Sequence, residues 1–100
     1  MATFLYEFEW DTHKAETNFK KHKLDFGRAS TVFLDPLAIT IPDEDHSETE
    51  TRWITLGKEQ TGGYVVVVHT LIQLSVNQGR IRLISARRPT KAEIRNYEEQ

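Results

Sequence analysis

Residues 64–88 read YVVVVHTLIQLSVNQGRIRLISARR, and this stretch decides the fold. Its first five residues are apolar in succession, which indicates a strand that is buried on both faces in the middle of a sheet. A turn signal at 77–79 separates it from a second strand at 80–85, in which basic and aliphatic residues alternate. Residues 71–76 either extend the first strand or form a bulged connection. Because strands joined by a short turn lie antiparallel, the stretch predicts a hairpin at the centre of a sheet.

Further strands are expected before this hairpin. Large aliphatic residues alternate with smaller ones at 37–41, and Pro42 ends that strand. The alternation returns at 52–56, and the glycine-rich turn at 60–63 leads from there into the hairpin. Residues 5–10 open the chain with aromatic residues that favour a strand.

Helices are predicted where capping residues precede apolar positions at helical spacing. Asp11 is placed to cap a helix that runs to about His22, and Asp25 to cap a second helix that ends before Pro36. A capping-box pattern at 90–93 begins the last helix.

The order of these elements is strand, helix, helix, about four strands, helix. Short turns between consecutive strands predict an antiparallel sheet of about four to five strands. Two N-terminal helices and one C-terminal helix, expected on one face of that sheet, predict an α+β fold. The 100 residues are the usual size of one domain, so residues 1–100 are expected to form a single domain.

The charges are separated along the chain, although the net charge is only −2. Residues 35–50 hold six acidic side chains and no lysine or arginine, whereas 71–95 hold six basic side chains and one acidic one. Residues 14–28 add five more lysines and arginines. The net charge argues mildly against a nucleic-acid binder, but this distribution predicts a basic face and an acidic lobe.

Several classes of protein are excluded or disfavoured by composition. The chain has no cysteine, which rules out a disulfide scaffold, a thiol nucleophile and a cysteine-ligated zinc site. Residues 1–7 lack a basic segment followed by an apolar run, and the longest apolar run, 65–68, is far too short to cross a membrane. The expectation is a soluble cytoplasmic protein.

Four arginines within nine residues, 80–88, are the first candidates for chemistry. Arginine suits phosphate because its planar guanidinium donates two parallel hydrogen bonds. Arg80 and Arg82 are expected to point to one face of the sheet, where they would bind phosphate and stabilise charge in a phosphoryl-transfer transition state. The alternative is a solvated edge strand whose charges resist aggregation.

The histidines are the candidates for proton transfer near neutral pH. His22 lies among three lysines, and positive neighbours favour its neutral, proton-accepting form. His69 is expected to be a hydrogen-bonded core or edge histidine, and His46 a loop or cap residue. His13 stays open between a catalytic and a structural role.

No metal or cofactor site is predicted. The acidic loop from Asp43 to Glu50 matches no EF-hand, HExxH or zinc spacing, and a solvated loop is expected there. The chain also lacks a glycine-rich phosphate loop and a nucleophile elbow.

Several short motifs occur in one order across nearly the whole chain: Phe8-Glu9-Trp10-Asp11 with Lys14, Asn18 and Lys21-His22; Phe26 through Val32-Phe33-Leu34-Asp35-Pro36; Asp45-His46 and Glu50-Thr51-Arg52-Trp53; Gly57; Val66-Val67-Val68; and Arg80-Ile81-Arg82-Leu83-Ile84-Ser85-Ala86-Arg87-Arg88 with Glu93 and Tyr97. Together these motifs resemble the BrnT toxin family. The resemblance implies a RelE-like ribonuclease fold and a type II toxin–antitoxin pair. It implies RNA cleavage without a metal ion or cofactor, which halts translation and growth.

The resemblance also implies partners. They are an RNA substrate and a BrnA-type antitoxin with a ribbon-helix-helix part, through which the pair binds operator DNA; no membrane is implied. Charge predicts that an acidic antitoxin segment docks on the basic strand and the first helix.

The leading hypothesis is therefore a ribonuclease toxin. Its expected catalytic residues are His22, acting with Glu50 or His46, and Arg52, Arg80 and Arg82. Its expected RNA-binding residues are Lys14, Lys21, Arg87 and Arg88. The alternative is a non-catalytic module whose basic sheet face binds an acidic protein or nucleic acid.

The chain departs from the family pattern at three places. Lys23 stands where glycine is common, and Pro89 stands where a small residue is common. The stretch 71–79 is longer than usual, which puts access of the substrate to the neighbouring strand in question.

Overall fold

The computed structural model describes residues 4–100 of the chain. Within these residues it has the strands β1 (Leu5–Trp10), β2 (Ile39–Pro42), β3 (Trp53–Lys58), β4 (Tyr64–Ser75) and β5 (Gln78–Arg87), and the helices α1 (Thr12–His22), α2 (Phe26–Ala29) and α3 (Lys91–Glu98). The expectation that no leader segment opens the chain rests partly on residues 1–3, which lie outside the described residues. No helix of residues 4–100 combines the length and apolar character needed to cross a bilayer.

The strands form one mixed sheet in the order β1-β5-β4-β3-β2. Neighbours from β5 to β2 are antiparallel, but β1 runs parallel to β5, from Leu5 beside Gln78 to Trp10 beside Leu83. The prediction of an antiparallel sheet is therefore wrong at this edge. No tight turn joins β1 to β5, since the rest of the fold lies between them in sequence, so nothing local dictates an antiparallel direction.

The hairpin of β4 and β5 has three irregular features: a projecting end of β4, a bulged residue in β5, and a bulged residue in β4, Leu74, between Gln73 and Ser75. Residues 71–75 extend β4 rather than forming a connection. Because β3 pairs only with Tyr64 to His69 of β4, residues 70–75 project beyond the end of β3. We call residues 70–75 the overhang. In β5, Val68 faces Ser85 and His69 faces Leu83, so Ile84 is an extra, bulged residue.

The bulge changes which side chains share a face. Strict alternation would place Arg87 on the face of Ile81 and Leu83. With one extra residue at Ile84, Arg87 pairs with Val66 and joins the face of Arg82.

Helices cover both faces of the sheet, contrary to the expectation of one covered face. The N-terminal helices bury the first face, with a core formed by Leu24, Phe26, Ala29, Val32, Val65, Val67, Ile81, Leu83 and Ala86. On the second face Tyr97 of α3 packs on Leu56 and Val66. Since β4 is apolar on both faces, a one-sided arrangement would leave Val66 in water.

The second N-terminal helix is also shorter than predicted. It is one α-helical turn, α2, which continues as a 3₁₀-helix over Ser30–Leu34. Ser30 Oγ donates to the Gly27 carbonyl at 2.7 Å and Thr31 Oγ1 donates to the Arg28 carbonyl at 2.6 Å. Such local side-chain bonds compete with the regular α-helical pattern.

The predicted caps are confirmed. Asp11, Asp25 and Thr90 each accept a hydrogen bond from the backbone three residues on, at 2.9 to 3.2 Å. At the other end of α1, Lys23 adopts the left-handed conformation (φ 58°) and donates to the Phe19 carbonyl at 2.8 Å. This conformation explains why glycine suits the position.

Candidate active site

The part of the second sheet face that α3 leaves open carries a group of arginines. Arg82 and Arg87 project from β5 onto this face, and Arg52 reaches it from the residue just before β3. Their side chains are 28 to 41% exposed, so each is partly held by the protein and still accessible to a ligand.

Glu50 binds two of these arginines. Its Oε1 accepts from Arg82 Nη2 at 2.5 Å and lies 3.6 Å from Arg52 Nη2. One carboxylate thus holds two guanidinium groups close enough to act on the same anion.

Arg52 retains an unused donor. Its Nε is buried and has no hydrogen-bond partner among residues 4–100. Buried donors almost always have a partner, so this unpaired Nε is an exception among the buried side-chain polar atoms of residues 4–100.

Arg87 is held by α3 through Glu93. The guanidinium donates two parallel hydrogen bonds to the carboxylate, at 2.9 and 3.0 Å. The Arg87 hydrogen bonds lower the pKa of Glu93, and the same pair raises the pKa of Arg87, so both groups stay charged near neutral pH. Glu93 also accepts from Thr90 N at 2.8 Å, which ties the capping box of α3 to the arginine face.

A cavity of about 390 Å³ is lined by Arg52 and Arg87, whereas Arg82 lines a neighbouring cavity with Glu50 and Lys14. Apolar side chains of three neighbouring strands, Ile54, Val68 and Ile84, contribute to the lining of the first of these cavities together with Arg52 and Arg87. An apolar surface beside guanidinium groups suits a nucleobase attached to a phosphate.

His46 and Asp43 line the same cavity and form a pair. His46 Nδ1 lies 3.1 Å from one carboxylate oxygen of Asp43 and 3.2 Å from the other. Asp43 is buried, and its backbone N–H donates to the Arg52 carbonyl at 2.9 Å, which closes the loop that carries the pair. A carboxylate that accepts from Nδ1–H leaves Nε2 of the imidazole as the nitrogen that can take up a proton.

The basic side of α1 borders the bulge from the opposite direction. Lys14, Lys21 and His22, with His13, line a second cavity of about 400 Å³ that also reaches Ile84 and Ser85. The bulge of β5 is therefore the common border of the two cavities.

Asn18 holds α1 in this place. Its buried amide donates to the Ala86 carbonyl at 3.0 Å and accepts from the Ala86 N–H at 3.1 Å. Asn18 thus hydrogen-bonds to the edge of β5 beyond Leu83, which is the last residue of β5 that pairs with β1.

Two arginines named from the sequence lie apart from this group. Arg80 shares the face of Arg82, but it is engaged at the β1 edge, 3.7 Å from Glu7 and 4.0 Å from Glu9. Arg88 donates to the Tyr64 carbonyl at 3.5 Å, at the opposite end of β4 from the overhang.

His69 is a core histidine, as expected. It is 1% exposed, its Nδ1 lies 3.0 Å from the Thr70 carbonyl, and its Nε2 lies 2.7 Å from Thr55 Oγ1. Burial lowers the pKa of His69, so the ring is neutral in the folded protein at neutral pH.

Asn18 and Asp43 are site-building residues to which the sequence analysis gave no role in the site. Asn18 follows Ala15 by three positions and so lies on the packed side of α1, where an amide needs a partner. Asp43 sits directly after the strand-ending Pro42, but no local pattern shows that it meets His46.

Comparison with known proteins bears on the family and the fold of the chain. Residues 10–93 match the family described as ribonuclease toxin, BrnT, of type II toxin–antitoxin system. The crystal structure of the Brucella abortus ribonuclease toxin BrnT superposes with a TM-score of 0.61 and 20% identity, covering 87% of this chain and 100% of that chain. This likeness shows a common fold. No curated protein is similar enough to count as a relative. Because the family match spans most of its length, the chain belongs to the BrnT family of ribonuclease toxins of type II toxin–antitoxin systems.

Proposed function

We propose that this chain is an endoribonuclease that cleaves RNA without a metal ion, at the cavity between Arg52 and Arg87. The observation that carries the proposal is that Arg52 and Arg87 line one cavity on the open sheet face with the His46–Asp43 pair, while Arg82 is joined to Arg52 through Glu50. Three fixed cations can stabilise the extra negative charge of a phosphoryl-transfer transition state in the place of a metal ion.

The proposed reaction is attack of a ribose 2′-oxygen on the adjacent phosphorus. His46 Nε2 takes the 2′-hydroxyl proton, the new P–O bond forms, and the bond to the 5′-oxygen breaks as that oxygen receives a proton. The products are a 2′,3′-cyclic phosphate and a free 5′-hydroxyl.

His22 is proposed as the second proton carrier. It borders the bulge through the second cavity, whereas His46 borders it through the first. In-line displacement needs base and acid on opposite sides of the phosphate, so the proposal requires a phosphate at the bulge with His46 on one side and His22 on the other. Glu50 positions Arg52 and Arg82, since its carboxylate is engaged by both. Lys14 and Lys21 bind the flanking backbone phosphates, and Arg80 and Arg88 have at most an accessory part.

The biological role follows from the family. We propose that RNA cleavage halts translation and growth in the cytoplasm, and that residues 1–100 act as one RelE-like domain. A BrnA-type antitoxin with a ribbon-helix-helix part would neutralise the chain by covering its arginine face with an acidic segment, and would carry the pair to operator DNA.

The test is cleavage of an RNA oligonucleotide by the purified chain in buffer with EDTA. Arg82→Ala is expected to lower the rate by about 10²–10³-fold, since it removes a donor that stabilises transition-state charge. Arg88→Ala, an equal change of charge outside the group, is expected to leave the rate near that of the wild type. His46→Gln is expected to lower the rate by about 10²–10⁴-fold, since it removes the proposed proton acceptor.

Three outcomes would contradict the proposal. Loss of wild-type cleavage in EDTA would show that a metal ion is needed, and equal loss in the Arg82 and Arg88 variants would remove the assigned site. RNA that is bound but never cleaved, by a folded wild-type chain, would favour the non-catalytic module.

A further inference from the structure

A row of aliphatic side chains crosses three strands on the open part of the second sheet face. Ile54 of β3 pairs with Val68 of β4, Val68 pairs with Ser85 of β5, and the bulged Ile84 comes directly before Ser85. Ile54, Val68 and Ile84 are all half-buried, and they line the cavity of about 390 Å³ that the arginines border. We call these three side chains the apolar floor.

The floor is open because α3 covers the neighbouring part of the sheet. Two positions away on the same strands and the same face, Leu56 of β3 and Val66 of β4 are buried beneath Tyr97 of α3. The floor residues, by contrast, keep part of their surface exposed. Because apolar surface gains free energy when it leaves water, the floor favours a ligand that has an apolar surface of its own.

Charged groups around the floor restrict the choice of ligand. Arg52 and Arg87 line the cavity with guanidinium groups, which attract an anion. The carboxylates of Asp43 and Asp45 line it as well, and they repel an anion placed on the floor itself. The ligand that suits both conditions covers the floor with an uncharged, apolar part and turns its anionic part toward the arginines.

A nucleotide of RNA divides its chemistry in this way. The base is flat and uncharged with apolar faces, and the phosphate carries the charge. The next phosphate along the chain also finds a suitable place, because Ile84 lines the cavity of α1 as well, where Lys14 and Lys21 stand. Within residues 4–100 the lining of that cavity holds no carboxylate.

We propose that the apolar floor binds the face of one unstacked base, so that the RNA taken by this site is single-stranded. In a duplex each base face is covered by the neighbouring base pair, whereas the bases of a single strand are free to stack on side chains. The inference rests on the proposed function, because it names the class of RNA that the same cavity takes. It is tested by binding alone, so its failure and a failure of RNA cleavage can be told apart.

The first test compares one unstructured RNA sequence in two forms, 2′-O-methylated throughout so that it is not cleaved. Fluorescence anisotropy gives the Kd of the labelled strand alone and after annealing to its complement, in about 0.15 M salt, which screens non-specific attraction to the duplex. The single strand is expected to bind at least about fivefold more tightly, the lower end of the effect of stacking one base on an aromatic side chain. An abasic strand of the same length, which keeps the phosphates, is expected to bind at least about fivefold more weakly than the strand with bases.

The second test changes the floor. Ile84→Asn and Val68→Thr are expected to weaken binding of the single strand and to leave binding of the abasic strand unchanged, since they remove apolar surface and no charge. A variant that fails to fold loses binding of both strands, and Val68→Thr keeps the branched shape that suits a strand. Ile72→Asn is the matched control for Ile84→Asn, because Ile72 is 55% exposed in the overhang, away from the cavity.

The outcomes separate the two proposals. Equal affinity for single strand and duplex would overturn the inference. Unchanged RNA affinity in folded floor variants would also overturn it, since the floor would then serve another ligand, such as an apolar peptide segment. A wild type that shows the expected preferences but does not cut unmodified RNA would support the inference and contradict the proposed cleavage.

Discussion

His69 shows how one buried side chain fixes its own protonation. The Thr70 carbonyl can only accept, so Nδ1 carries the hydrogen and Nε2 accepts from Thr55 Oγ1. Thr55 Oγ1 lies 2.7 Å from Thr40 Oγ1, which completes a chain of hydrogen bonds across β2, β3 and β4. The packed ring of Phe33, edge-on at 4.9 Å between centroids, adds to the burial that lowers the pKa of His69.

This burial predicts an acid-sensitive component of stability. The pKa of His69 is lower folded than unfolded, so as pH falls below about 6.5 the unfolded state takes up a proton that the folded state does not. The free energy of unfolding should then fall by up to about 1.4 kcal/mol per pH unit. Urea denaturation between pH 5 and 8 measures this fall in the free energy of unfolding. The His69→Gln variant is expected to lack the part of the fall that is due to His69.

The control is His13→Gln, which removes an exposed histidine of α1. It should keep the wild-type slope. Asp35 contributes to stability over a lower pH range than His69. Burial raises the pKa of Asp35, but hydrogen bonds from Lys58 N, Tyr97 OH and Leu37 N lower the pKa overall. The free energy that its carboxylate adds to folding is therefore lost only below about pH 4. An unchanged slope in the His69 variant would contradict the assignment.

At the scale of elements, the contact between α1 and β5 depends on Asn18. Replacing Asn18 by Ala leaves the N–H and the C=O of Ala86 without their side-chain partner in a buried place. We expect a loss of about 2–4 kcal/mol in the free energy of unfolding, measured by urea denaturation. Thr17→Ala, on the exposed side of the same helix, should cost far less. If the Asn18 and Thr17 variants lost equal amounts of unfolding free energy, helix propensity, and not the hydrogen bonds to β5, would account for the loss.

The elements that sequence predicted correctly are those whose signals are local. The caps at Asp11, Asp25 and Thr90 act within one helical turn, and the alternation at 80–83 reports one strand on its own. The parallel pairing of β1 and the placement of α3 on the second face depend on neighbours far away in sequence, which periodicity does not contain. Likewise, the sequence offered the arginines and His46 as candidates, but only the folded loop shows that Asp43 meets His46.

For the whole molecule, the net charge is −2, but the lysines of α1 and the arginines of the second face still offer guanidinium and ammonium groups to a phosphate backbone. We expect binding of a 2′-O-methylated RNA, which lacks the nucleophile, to weaken strongly with salt. Three to five phosphate contacts predict a slope of about −2 to −3.5 for log affinity against log salt concentration.

Fluorescence anisotropy of the labelled RNA measures this slope. Arg87→Ala should make the slope shallower by about 0.7, the effect of one phosphate contact, and Arg88→Ala should leave it unchanged. Affinity that does not depend on salt would show that RNA binds through another surface.

The bulge at Ile84 has a genetic consequence. Arg82 and Arg87 are separated by an odd number of positions, and a regular strand can never show two such residues to the same side. Losing the codon of Ile84 would leave a regular strand that still pairs with β4 and still buries Ile81 and Leu83, and Arg82 and Arg87, then four positions apart, would keep their common face. A single in-frame deletion could thus remove the bulge, and with it the border that the two cavities share, without unfolding the protein.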